Sequence, residues 1–183
     1  MTDWVTADLH FGHANIIKYC NRPFRGVHHM DEELIRRWNE VMRPADTVYV
    51  VGDFTMGQRA ERYAERLTGH LAFITGSHDH WMDEAITRYE GDVWSRCAWL
   101  GHIHDKLKVD GHKVVLCHYA MRSWPGSFHG SVLLYGHSHG RLPPYGRSQD
   151  VGVDTNDFYP YRLDAVVRKL AALPTHGQEG RPD

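Results

Sequence analysis

One pattern, repeated five times, constrains this chain more than any other: a short apolar run stops abruptly at a cluster of Asp, His and Gly. Trp4-Val5-Thr6-Ala7 runs into Asp8-Leu9-His10, and Val48-Tyr49-Val50-Val51 into Gly52-Asp53. Ala72-Phe73-Ile74-Thr75 runs into Gly76-Ser77-His78-Asp79. Val114-Val115-Leu116-Cys117 meets His118, and Val132-Leu133-Leu134-Tyr135 meets Gly136-His137-Ser138-His139. Short apolar runs read as buried strands. In an α/β sheet the carboxyl ends of parallel strands share one edge, where ligand sites form. Asp and His brought to one rim from five strands are what a multi-metal site needs, a carboxylate to bridge and imidazoles to complete each shell. The chain holds 15 histidines in 183 residues, with no run of them at either end to suggest a tag.

The remainder predicts one α/β domain over 1–173 and a polar, disordered tail over 174–183. Strands are predicted at 2–7, 47–51, 70–75, 98–109, 112–117, 132–135 and 151–153, with Asp110-Gly111 marking a hairpin. Helices are predicted at 13–20, 30–43, 57–68, 81–89 and 163–173. A net charge of −2 gives no overall basic surplus, so strong non-specific nucleic-acid binding is not expected. Three cysteines, an odd number with no C-x-x-C, fit a reducing, cytoplasmic setting. The polar N-terminus is unlike a signal peptide, and apolar runs of about four residues are far too short for a membrane span. His102-Ile103-His104-Asp105 starts like the H-x-H-x-D-H ligand motif, but Lys106 and Leu107 fall where Asp and His are required. It reads as a strand face. His28, His29, His70, His80, His112 and His176 read as surface, and the tryptophans as core.

Taken in order, D-x-H, G-D, G-x-H-D, H and G-H-x-H resemble the signature of the calcineurin-like metallophosphoesterases, in particular the small stand-alone bacterial and phage members. Phe11-Gly12-His13-Ala14-Asn15-Ile16-Ile17, Arg22-Pro23-Phe24, His118-Tyr119 with Arg122, Trp124, His129 and Gly130, Val151-Gly152-Val153-Asp154 and Tyr159-Pro160 are similar too. The resemblance spans about residues 3–172. It implies a four-layer α/β/β/α sandwich with two divalent metals at the strand ends. One metal would take Asp8, His10, Asp53 and His139; the other would take Asp53, Ser77, His118 and His137, with Asp53 bridging. His78 would stand beside the scissile phosphate and Asp79 would orient its ring. Two cations would clamp a phosphate and lower the pKa of the bridging water, whose hydroxide attacks phosphorus in line. His78 would contact phosphoryl oxygens or protonate the leaving oxygen. The N/O donor set favours Mn²⁺ first, with Fe, Zn²⁺ or Ni²⁺ as alternatives.

Ser77 departs from the pattern, which has Asn there. The serine hydroxyl is shorter by one heavy-atom step and is not an amide oxygen. Three readings stay open: ligation through water, natural loss of activity, or an engineered change. Substrate contacts are expected from His13, Asn15, Arg22, Arg122 and His129. The expected substrate is a small phosphodiester, nucleotides and cyclic nucleotides included, or a phosphomonoester. The rivals are a nuclease or RNA-end-processing enzyme with the same metals, and a catalytically weakened binding protein on the same fold. Oligomeric state is not legible.

Overall fold

The computed structural model describes residues 1–57, 60–82 and 93–175. Within them lies a mixed α/β fold with two sheets and four α-helices. Strands β1 (Asp3–Thr6), β2 (Thr47–Val51), β3 (His70–Ile74) and β4 (Cys97–Trp99) run parallel. The second sheet contains β5 (Ile103–Val109), β6 (His112–Cys117), β7 (Val132–Tyr135) and β8 (Ser148–Asp150), in the order β5-β6-β7-β8. There β6, β7 and β8 are parallel, and β5 joins β6 as a hairpin through Asp110-Gly111. Strand β9 (Tyr161–Arg162) closes the first sheet antiparallel to β1, giving β4-β3-β2-β1-β9.

Alternating side chains explain the layering. On the first sheet, Val5, Ala7, Val51 and Ile74 face Val114, Leu116, Val132 and Leu134 of the second, forming an apolar seam between sheets. Val48, Val50, Leu71 and Phe73 belong to a second core that includes the helices. Helix α1 (Ala14–Tyr19) contributes Ile16. Helix α2 (Val27–Val41) contributes Met30, Leu34, Ile35 and Trp38, a stripe at helical spacing. Helix α3 (Ala60–Ala64) contributes its two alanines. The final helix, α4 (Leu163–Ala171), inserts Leu163, Val166, Val167 and Leu170 into the inter-sheet seam. Trp38, Trp81, Trp94 and Trp124 are buried, and Trp4 and Trp99 pack partly buried against the helix-side core.

Several elements differ from the sequence-based expectation. Helix α2 begins at Val27 rather than 30, after an extended Gly26. The predicted 98–109 strand is two strands in different sheets, separated at Gly101, whose φ is 76°. The predicted 151–153 strand is not one: Gly152 makes an isolated bridge to Ala7, and Val153–Thr155 is a 3-10 turn. Ladder pairing is instead carried by Ser148–Asp150. The outer face of the second sheet (Val115, Cys117, Leu133, Tyr135) is covered, among the described residues, by Trp124, Met121 and Tyr145 from loops rather than by an α-helix. Most of the predicted 81–89 helix, positions 58–59 of the 57–68 helix, and residues 176–183 with His176 lie outside the described residues.

Candidate metal centre

The five polar clusters meet where the two sheets share a rim. Asp8 and His10 follow β1, Asp53 follows β2, Ser77 to Asp79 follow β3, His118 follows β6, and His137 and His139 follow β7. Donor atoms of Asp8, His10 and His139 lie within 4.8 Å of one another, and so do those of Asp53, His118 and His137. Asp53 stands between the groups: its Oδ2 is 3.6 Å from His10 Nε2 and 3.3 Å from His118 Nε2. Both nitrogens are buried and lack a hydrogen-bond partner. A buried polar atom is costly to leave unsatisfied. Two imidazole nitrogens aimed at one carboxylate oxygen, without hydrogen-bond alignment, fit a site that holds cations.

Supporting contacts orient these donors. His118 Nδ1 lies 2.9 Å from the Val51 carbonyl, so its N–H points there and leaves Nε2 as the ligand atom. His139 Nδ1 lies 2.7 Å from Asp154 Oδ2. The Asp8 carboxylate accepts the His137 N–H at 2.8 and 3.0 Å, tying the two sheets' loops together. Asp8, His10, Asp53, His137 and His139 all hold φ between 48° and 67°, a left-handed conformation rare for such residues. Such strain gathers where surrounding structure enforces a functional geometry. Glycines make the close approach possible. A Cβ on Gly76 would lie 2.4 Å from Asp53 N and Oδ1, and one on Gly136 would lie 2.9 Å from Asp8 Oδ2.

Electrostatics follow from this crowding. Burial pushes the Asp8 carboxyl up to about 7, against the pull of His139 and His118. Burial holds His10 down at about 2. Burial also works against a charged His118, but Asp53 and Asp8 outweigh it and hold that ring at about 9. Burial would raise Asp53 as well; His118, the His78 N–H and His10 together bring it below the usual carboxylate range.

The remaining predicted residues divide. His78 is half-exposed; its N–H donates to Asp53 Oδ1 at 2.8 Å and its Nε2 lies 4.0 Å from Asp53 Oδ2. The Ser77 hydroxyl donates to Asp53 at 3.0 and 3.2 Å. Asp79 differs from its expected role. Its two oxygens accept the N–H groups of Asp53, Phe54 and Gly76 and the Trp81 indole N–H, so it braces the backbone rather than the His78 ring. His13 enters the cleft, with Nδ1 3.3 Å from His10 Nδ1. Arg22 does not contact the cleft. It is buried, paired with Asp154 at 2.8 Å, and donates to the carbonyls of Asp8 and Leu9. Asn15, Arg122 and His129 are exposed and lie outside the cleft lining, Arg122 over the Tyr145 ring. The sequence reading assigned no role to Asp154, which orients His139, nor to Asp150. The latter accepts Ser138 Oγ at 2.6 Å and the N–H groups of Gly140 and Gly152. It also missed Tyr19, Cys20, Met56 and Arg141 of the cleft wall. Asp154 lay within the recognised Val151-Gly152-Val153-Asp154 stretch; the others carry no motif.

No family model matches the chain. Among solved structures, a protein of unknown function, AQ665 from Aquifex aeolicus, superposes with a TM-score of 0.64 at 19% identity, covering 87% of this chain and 94% of that one. A novel archaeal phosphodiesterase superposes with a TM-score of 0.52 at 16% identity, covering 83% and 82%. Both likenesses concern the fold. In sequence, the uncharacterized protein MJ1445 of Methanocaldococcus jannaschii is 32% identical over 178 residues, 91% of this chain and 90% of its own. At that identity over nearly the full length of both, the chain belongs to the same family as MJ1445.

Proposed function

We propose that this protein is a metal-dependent phosphoesterase of the calcineurin-like type, acting on a small phosphodiester or phosphomonoester. The observation that carries the reading is Asp53 Oδ2 set between the partnerless Nε2 atoms of His10 and His118. The fold shared with an archaeal phosphodiesterase agrees with it. On this reading one cation is held by Asp8, His10, Asp53 and His139, and a second by Asp53, His118, His137 and Ser77. Cations there would supply positive charge to phosphoryl oxygens and acidify a water. Mn²⁺ is the first choice, with Fe, Zn²⁺ and Ni²⁺ as alternatives, because imidazole and carboxylate without thiolate suit them.

The chain's own residues do the rest. Asp53 orders both halves of the centre. On this reading His78, half-exposed with Nε2 4.0 Å from Asp53 Oδ2, would hold a phosphoryl oxygen or give a proton to the leaving oxygen. Asp79 keeps the Asp53 and Gly76 backbone in place. The family-type four-layer sandwich would have its outer layer built mainly from loops in this chain. Its three cysteines, free of disulfides, fit the cytoplasm, and no helix among the described residues is long and apolar enough to cross a membrane.

The test is Mn²⁺-dependent hydrolysis of bis(p-nitrophenyl) phosphate beside p-nitrophenyl phosphate, by this chain and by Ser77→Asn. Turnover by the chain supports the enzyme, and faster diester cleavage supports a phosphodiesterase. Activity only in Ser77→Asn favours the second reading, a weakened binding protein, for which the short Ser77 side chain is the motivating feature. Metal bound with no turnover by either protein would overturn the enzyme reading. Salt-sensitive binding to oligonucleotides would move it towards a nuclease.

A further inference from the structure

The donors of the metal centre form only part of the cleft. The cavity is about 390 Å³, within the roughly 300–1,000 Å³ typical of small organic ligands and far more than one phosphoryl group requires. Its other wall is built differently. Ile16 and Tyr19 of α1 and Met56 from the loop after β2 line it. Tyr19 is 63% exposed and Met56 43% exposed. Together they leave apolar surface open to the cleft directly beside the polar donors. Tyr19 also stands nearly perpendicular to the His13 ring, with centroids 6.3 Å apart, so an aromatic ring adjoins the imidazoles.

A cation completes this wall. Arg141, two residues beyond His139, lines the cleft, and one of its amino groups donates to the Tyr19 carbonyl. That bond places the guanidinium at the end of α1, beside the tyrosine. Arg22, the other arginine behind this region, is buried and fully engaged with Asp154 and backbone carbonyls. Nη2 of Arg141 also faces Cys20 Sγ at 4.0 Å, while among the described residues its Nε and Nη1 have no hydrogen-bond partner, and a guanidinium suits an anionic oxygen pair.

We propose that Tyr19, Met56 and Arg141 form a leaving-group subsite that selects a nucleotide-like phosphate ester. The scissile phosphoryl lies at the metal donors, a planar ring lies against Tyr19 and Met56, and a second anionic group meets Arg141. The inference rests on the phosphoesterase reading, since it takes the metal donors as the phosphoryl end. The chemistry fits the geometry: a ring gains from aromatic and thioether contact, and an added charge gains from the exposed guanidinium of Arg141 at the cleft rim.

The test is isothermal titration of the Mn²⁺-loaded protein with three ligands: inorganic phosphate, a phosphonate analogue of AMP, and α,β-methylene-ADP. The AMP analogue should bind about five- to tenfold more tightly than phosphate through the ring. α,β-Methylene-ADP should gain about two- to fivefold more through the exposed Arg141. Tyr19→Ala should erase most of the first step. Arg141→Ala should erase the second, while Arg141→Lys keeps part of it. Mn²⁺ uptake by each variant reports whether it has folded. If Mn²⁺ loads and all three ligands bind alike, the subsite is wrong while the phosphoesterase reading stands. If the ladder persists unchanged in both alanine variants, the residues are wrongly assigned. If Mn²⁺ does not load at all, the metal reading fails and the subsite with it.

Discussion

At the scale of single residues, the centre is a set of Asp and His donors, five of them held at left-handed backbone angles, that crowd one carboxylate. Asp53 accepts from Ser77, from the His78 N–H, and faces two imidazoles. Asp53→Asn removes the shared charge, and metal analysis should show the loss of at least one bound Mn²⁺ per chain with activity down by about 10³-fold or more. Retention of full stoichiometry would remove Asp53 from its bridging place. Ser77→Asn should act in the opposite direction: the longer amide oxygen reaches past Asp53, so Mn²⁺ affinity or turnover at limiting metal rises. If a Mn²⁺ titration shows neither, Ser77 is not a weak point. Protons give a third expectation. His118 is held up at about 9 and Asp8 up to about 7 in the metal-free site. At pH 7 a cation must therefore displace a proton from His118, so Mn²⁺ affinity climbs with pH towards about 9 and uptake releases protons. Titrations in buffers of different ionisation enthalpy read that release; identical heats in all of them would contradict it. These donors were legible in the sequence because each stands next to an apolar strand. The functions of Arg22 and Asp79 were not. A charged residue near a motif reads the same whether it meets substrate or braces a loop, and only the fold brings Asp154 to Arg22 or four donors to Asp79.

At the scale of elements, sequence reads burial better than partnership. Strands 47–51 and 132–135 were legible because each is a short apolar run: Val48, Val50 and Val51 are buried in the first, and Val132, Leu133, Leu134 and Tyr135 in the second. The 98–109 run was misread because local pattern does not record which sheet a strand joins; Gly101 turns the chain from one sheet to the other. Val151 and Val153 look like strand residues because both are fully buried, yet they flank the Gly152 bridge. Helix α2 was placed late because Val27, which packs partly buried against the core, is the lone apolar residue in its first turn, Val27-His28-His29. Its stripe does matter for the site. Trp38, 1% exposed, packs in the helix-side core and donates to the Thr68 carbonyl at 2.9 Å. Asp31, one turn before Ile35, accepts the Gly12 N–H and the Tyr63 hydroxyl, so the same helix holds the loop that leads to His13. Trp38→Ala should cost about 3–5 kcal/mol by emptying that space, read as a lower urea midpoint. A cost below about 1 kcal/mol would mean that the core closes over the gap.

At the scale of the whole molecule, the centre is also a fastening between the two sheets. Asp8, His10 and Asp53 come from the first sheet; His118, His137 and His139 come from the second. Between them run the inter-sheet apolar seam and a few polar ties, chiefly Asp8 to the His137 N–H and the Ala7–Gly152 bridge. A cation bound by donors from both sheets stabilises only the state in which the sheets are together. At free metal a hundred times Kd, that linkage is worth about 2.7 kcal/mol per site. For a chain of this size, this corresponds to a melting-temperature rise of about 5–10 °C. Mn²⁺ should therefore raise the melting temperature of the chelator-treated protein in a concentration-dependent way. His137→Ala separates this effect from ordinary packing, because His137 is exposed and its ring meets His118 and Tyr119 at the site rather than the apolar seam. In chelator, the variant should melt close to the parent; in Mn²⁺, it should lose a large part of the gain. A His137→Ala variant that responds to Mn²⁺ as fully as the parent would show that ions bind elsewhere, and that the converging donors are held together by the fold alone.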